Sequence, residues 1–210
     1  WGFETKKITI SDLKKIKILE LTEATELLQE IIIPPANAKI SNKTYGRSNE
    51  GSGLIKASAQ VYRKDDYDKG SEFGVIVSNK GLSQLESFHI HLSENESKKL
   101  VFKLQIYEVV NGKPSKKINH ENILFSISNK NMGWQKLDLT SHDIYIDSDV
   151  SKFAFTLKLV DADFDSKSTS LIFNTGATVN NQLIIKTSEY DNWTKIPFSI
   201  PMYIQAKVYK

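Results

Sequence analysis

His89 and His91 stand two residues apart in Phe88-His89-Ile90-His91-Leu92, so on a strand both imidazoles leave from one face. Two such rings hold a transition metal when a neighbouring strand supplies a third ligand, and Glu86, Glu94 and His120 are the available thirds; the alternative is a plain polar strand face. Asp161-Ala162-Asp163-Phe164-Asp165 has the alternate-carboxylate spacing of a calcium loop. Its sixth position is Ser166 rather than Gly and its twelfth is Ile172 rather than Glu, so it is not an EF-hand. A calcium site in a sandwich loop and a solvated acidic loop both remain open, and Asp65, Asp66 and Asp68 form a similar short cluster. Trp134, Tyr190 and Trp193 are flat aromatic surfaces of the kind that stack on sugar C–H faces, with Tyr190-Asp191-Asn192-Trp193 reading as an exposed turn and Trp134 as part of a strand.

No catalytic constellation accompanies these groups. There is no G-x-S-x-G elbow, H-E-x-x-H pair or phosphate-binding loop, and no carboxylate pair stands out for glycoside hydrolysis. Cysteine is absent, which excludes thiol catalysis, disulfides and zinc ribbons. The chain reads as a binding or structural protein rather than an enzyme, with no cofactor beyond the candidate calcium.

Composition bounds the partners. Over 210 residues, 28 basic and 25 acidic side chains leave a net charge of +3, which is not the footprint of a nucleic-acid binder. With 40% hydrophobic and 10% aromatic residues, the chain can build a folded core. No stretch approaches the ~18–20 apolar residues of a membrane helix. Trp1–Lys6 has neither the basic nor the apolar part of a signal peptide, and there is no initiator Met, so the chain is expected to be an excerpt of a longer precursor. Lysine far outnumbers arginine, which fits an AT-rich bacterial genome.

The elements that must position the candidate residues are strands. Phe88, Ile90 and Leu92, then Leu100 to Ile106, Phe153 to Leu159 and Met202 to Val208, all show apolar residues at every second position. Shorter runs at Gly74–Val77, Ile123–Ile127, Ser170–Phe173 and Gln182–Ile185 read the same way. Asn111-Gly112 marks a tight hairpin, because both residues accept positive φ. Asn79–Gly81, Asn129–Gly133 and Asn174–Gly176 are further breaks. Many short strands without intervening helical periodicity predict an antiparallel sandwich. Thr22–Glu30 lacks a capping box and runs into Ile31–Ile33, so it too is expected to be a strand.

Two resemblances add a context. Trp1-Gly2-Phe3-Glu4-Thr5-Lys6-Lys7-Ile8, Lys17–Leu21 and Glu26–Ile33 resemble the last strands of the carboxypeptidase-regulatory-like (transthyretin-like) domain of Bacteroidetes envelope proteins. Lys103–Pro114, His120-Glu121-Asn122-Ile123 and Gly133-Trp134-Gln135-Lys136-Leu137-Asp138-Leu139 resemble the jelly-roll-like sandwich that follows that domain. The expected organisation is therefore residues 1–35 as a partial transthyretin/Ig-like segment, 36–69 as a polar linker or irregular connection, and 70–210 as an all-β, jelly-roll-like antiparallel sandwich. The resemblance implies an exported protein, periplasmic or associated with the outer membrane. It implies a non-catalytic interaction module with a protein partner, an accessory to an outer-membrane assembly or transport complex. A carbohydrate-binding module stabilised by calcium is the alternative.

Overall fold

Alternation of apolar and polar residues does build this molecule from strands. The computed structural model describes residues 32, 34–51, 56–62, 71–128, 131–163, 168–177, 182–188 and 191–210. The chain divides into compact units Trp1–Ile32 and Ile33–Lys210, and every described strand belongs to the second. The strands expected before residue 34, including the one at 22–30, lie outside the described residues, as do Asp65, Asp66, Asp68, Asp165 and Tyr190.

In chain order the strands are β1 (Ile40–Gly46), β2 (Lys56–Tyr62), β3 (Glu72–Ser78), β4 (Leu82–Leu92), β5 (Glu94–Asn95), β6 (Lys99–Val110), β7 (Lys113–Lys117) and β8 (Ile123–Ser128). They continue as β9 (Gly133–Asp138), β10 (Tyr145–Ile146), β11 (Lys152–Asp163), β12 (Ser168–Asn174), β13 (Gly176–Ala177), β14 (Leu183–Lys186), β15 (Thr194–Ile196), β16 (Phe198–Ser199) and β17 (Met202–Tyr209). A five-stranded sheet runs β1-β17-β4-β10, with β9 also on β4; a seven-stranded sheet runs β15-β14-β3-β11-β6-β7, with β8 also on β6. Small sheets β2-β12-β5 and β13-β16 complete the described residues. Every described pairing is antiparallel, and the chain repeatedly changes sheet between long strands, as jelly rolls do.

The core is the space between the two large sheets. Phe88, Ile90 and Leu92 of β4 and Met202, Ile204, Ala206 and Val208 of β17 face Phe153, Phe155 and Leu157 of β11 and Leu100 to Ile106 of β6. Phe88, fully buried, meets Phe125 of β8 and Phe155 of β11 edge-on, at 5.6 and 6.2 Å between ring centres, and so ties the sheets together. Tyr45 of β1 does the same with Phe153 at 5.1 Å. The β6–β7 hairpin turns as expected: Asn111 and Gly112 have φ of 51° and 72°, and Val110 pairs with Lys113.

Two features depart from the expected layout. Strands β1 and β2 fall within 36–69, where a linker or irregular connection was expected, and β1 pairs with β17 along its whole length. Its pattern is faint because Ser41 and Lys43 occupy two of its three core-facing positions, leaving Tyr45 alone to be buried. The second departure is a bulge in β4, where Gln205 faces Ser87 but the next residue, Ala206, faces Leu85. Glu86 is the extra residue. Core-facing positions therefore switch from Ser83 and Leu85 to Phe88, Ile90 and Leu92, and the histidines point away from the core.

Truncating the inter-sheet clasp gives the first prediction. Phe88→Ala should lower unfolding free energy by about 3–5 kcal/mol, read from denaturant melts, because the ring is buried from both sheets; a loss under ~1 kcal/mol would contradict this packing.

Candidate functional site

Three candidate residues from the sequence meet on the outer face of the five-stranded sheet. The β4–β9 register sets His91 opposite Trp134 and His89 opposite Lys136, while β17 sets Tyr203 opposite His89. The rings touch in a continuous row. His89 stacks on Tyr203 at 4.4 Å with the planes 6° apart. Trp134 meets Tyr203 at 5.1 Å and His91 at 5.3 Å, tilted 68° from each, so neither of these rings lies face-to-face on the indole. Tyr203 has no counterpart in the sequence reading, although an aromatic residue at an outward position of an amphipathic strand was a usable signal.

Hydrogen bonds hold one ring of this row, His89, in place. Ser87 donates to Gln205 Oε1 at 3.2 Å, so its oxygen accepts from His89 Nε2 at 2.9 Å. Partial burial, and then the positive charge of Lys136, hold the His89 pKa below the ordinary imidazole value. Burial raises the Tyr203 phenol. His91 is buried: its Nε2 lies 3.6 Å from the exposed Glu50 carboxylate, and among the described residues its Nδ1 has no hydrogen-bond partner. On the same face lie Lys136, opposite His89, and Gln205, opposite Ser87, polar groups suited to sugar hydroxyls.

The third ligands that the sequence offers for a metal at the same histidines are paired or placed elsewhere. Glu86 pairs with Lys207 at 2.5 Å and Glu94 with Lys56 at 2.6 Å, while His120 lies between β7 and β8, strands of the other large sheet. Among the described residues, no three His, Asp or Glu side chains come together to hold an ion. Asp161 and Asp163 are not in a loop: β11 runs through both, opposite Val101 and Lys99, beyond a register shift at Val160. The acidic spacing there is the ordinary alternation of an exposed strand face.

Nor do Trp134 and Trp193 form one platform. Trp193 belongs to the outer face of the seven-stranded sheet, half-buried against Ile76, Val109, Ala154 and Ile184. Tyr107 meets it at 6.2 Å and the Lys186 ammonium lies 4.9 Å from its ring centre. It covers a small apolar cluster instead of standing free in a turn.

Beside that cluster is a polar network which sequence alternation disguised as a solvent face. Glu72 of β3 is 2% exposed; its Oε1 accepts from Gln105 Nε2 of β6 at 3.0 Å and from Thr156 Oγ1 of β11. Lys186 of β14 forms an ion pair with Oε2 at 3.2 Å, and among the described residues Oε2 has no hydrogen-bond partner. Thr156 is fully buried and Gln105 is 8% exposed. Burial, and then Lys103 and Lys158, lower the Lys117 pKa against the opposing pull of Glu72.

No family model matches the chain, and no curated protein matches it. Among solved structures, that of the cysteine protease and lectin-like domains of Cwp84, a surface layer associated protein of Clostridium difficile, is similar with TM-score 0.50 and 14% identity, covering 80% of this chain and 36% of that one. A structure of the clostridial protease Cwp84 after propeptide cleavage matches with TM-score 0.49 and 14% identity, over 80% of this chain and 40% of that one. This chain thus spans well under half the length of the proteins it resembles. At this identity the first likeness shows the fold, a β-sandwich.

The depressed His89 pKa has a consequence for stability. Below pH ~6.5 the unfolded chain takes up a proton that folded His89 resists, so stability falls as pH drops through that window. Comparing wild type with His89→Asn between pH 7.5 and 5 should show a shallower loss in the variant; equal slopes would contradict the assignment.

Proposed function

We propose that this domain is a non-catalytic binding module whose ligand is a glycan, bound on the outer face of the five-stranded sheet. The observation that carries this is the row Trp134, Tyr203, His89, with the indole touched edge-on by its neighbours and with Lys136 and Gln205 on the same face. Flat aromatic carbon attracts sugar C–H faces, and the amide and amine on that face exchange hydrogen bonds with hydroxyls. The fold shared with a protein containing a lectin-like domain supports a binding role. The lack of cysteine leaves the chain without the nucleophile of a cysteine protease.

Neutral hexose and N-acetylhexosamine oligosaccharides, titrated calorimetrically, should include at least one saturable binder. Trp134→Ala should weaken it roughly tenfold or more, about 1.4 kcal/mol, while Trp193→Ala leaves affinity unchanged. No heat with any oligosaccharide, or the reverse order of the two variants, would overturn the reading.

An envelope setting, periplasmic or at the outer membrane, rests on the resemblance to Bacteroidetes envelope proteins. A second reading, an accessory protein contact in such an assembly, has one structural feature in its favour. Among the described residues, strand β1 lies at an edge of its sheet and exposes 58% of Ile40, an arrangement open to strand addition. A stoichiometric partner from solubilised envelopes would support that reading; recovery of the protein alone would count against it.

A further inference from the structure

Thr156 and Gln105 are directly opposed on the central strands β11 and β6, and both donate to the same oxygen of Glu72. All three side chains are almost fully withdrawn from water, although they project from the sheet's outer face. Gly74 faces Thr156 from β3; a Cβ there would lie 2.7 Å from Thr156 Cγ2 and closer still to the Phe155 carbonyl oxygen, so only glycine leaves this threonine its place. A hydroxyl, a carboxamide and a carboxylate are thus packed together with water excluded.

We infer that Thr156 and Gln105 join in a self-formed ester that ties β11 to β6, with Glu72 transferring the proton. The Glu72 carboxylate takes the hydroxyl proton while Oγ1 of Thr156 attacks Cδ of Gln105. The tetrahedral adduct carries its negative charge on the carboxamide oxygen, on a face made cationic by Lys103, Lys117, Lys158 and Lys186. The Cδ–Nε2 bond then breaks, the proton on Glu72 passes to Nε2, and ammonia leaves. One C–O bond replaces one C–N bond, Glu72 returns to its carboxylate, and nothing is oxidised or reduced. The product fits the sheet, because Cβ–Oγ1–Cδ–Cγ–Cβ is a four-bond link and directly opposed Cβ atoms lie about 4.5–5.5 Å apart. Fixing both reactants on paired strands makes the attack intramolecular, the arrangement in which positioning lowers a barrier most. Burial then protects the ester from hydrolysis.

The test is the intact mass of the purified, natively folded protein, followed by proteolysis. The chain should be lighter than its sequence by one ammonia, and the peptides carrying Gln105 and Thr156 should remain joined until hydroxylamine separates them after unfolding. Thr156→Val and Glu72→Gln should both show the full sequence mass. The wild-type measurement decides the matter even if a variant fails to fold. An unmodified mass would overturn the inference. So would ammonia loss with the two peptides separate, which places the change at another amide, or a link that survives hydroxylamine.

Discussion

Strand β11 lies between β3 and β6 with both faces to be satisfied, and that double demand is the constraint on which the rest depends. On one side Phe153, Phe155 and Leu157 need apolar cover, and the five-stranded sheet supplies it through Phe88, Tyr45 and the inward residues of β17. On the other side Ala154 and Thr156 are equally buried. There the cover is mixed: Trp193, Tyr107 and Ile184 over the alanine, Glu72 and Gln105 around the threonine. An unpaired carboxylate at such depth would cost several kcal/mol, so the hydrogen bonds and the Lys186 ion pair are needed to offset burial.

The opposite sheet solves a different problem with one extra residue. Without the bulge at Glu86, a strand carrying Leu85 and Phe88 could bury only one of them, since three residues apart means opposite faces. The bulge brings both inward and by the same step turns His89 and His91 outward beside Trp134 and Tyr203. The aromatic row is therefore a by-product of how the core is filled. Its rings are set by register on three adjacent strands, which fixes the position of each against the next.

Much of this was legible in the residues. The long strands announced themselves by alternation because each has one face in a single thick core, and Asn111-Gly112 named its hairpin through backbone freedom alone. Strand β1 was invisible because Ser41 and Lys43 sit where apolar residues would mark it. Spacing along the chain and position in space group the candidate residues differently. His89, His91 and Trp134 belong together, a fact of strand register that no local spacing encodes. Trp193 reads as an exposed turn residue only until β14 and β3 bring Ile184 and Ile76 beneath it. Asp161 and Asp163 have loop-like spacing and strand-like pairing, and the extension of β6 decided which prevailed. Glu72, Gln105 and Thr156 lie far apart in the chain, so their meeting could only be seen in three dimensions.

The central claim is that the outer face of the five-stranded sheet recognises a sugar through Trp134. Its most direct test is to follow the three indole N–H resonances by NMR, assigned by single Trp→Phe variants, while neutral oligosaccharides are added. The Trp134 signal should shift saturably with at least one of them while that of Trp193 stays fixed. A Trp134 signal indifferent to every oligosaccharide, or a shift confined to Trp193, would contradict the account.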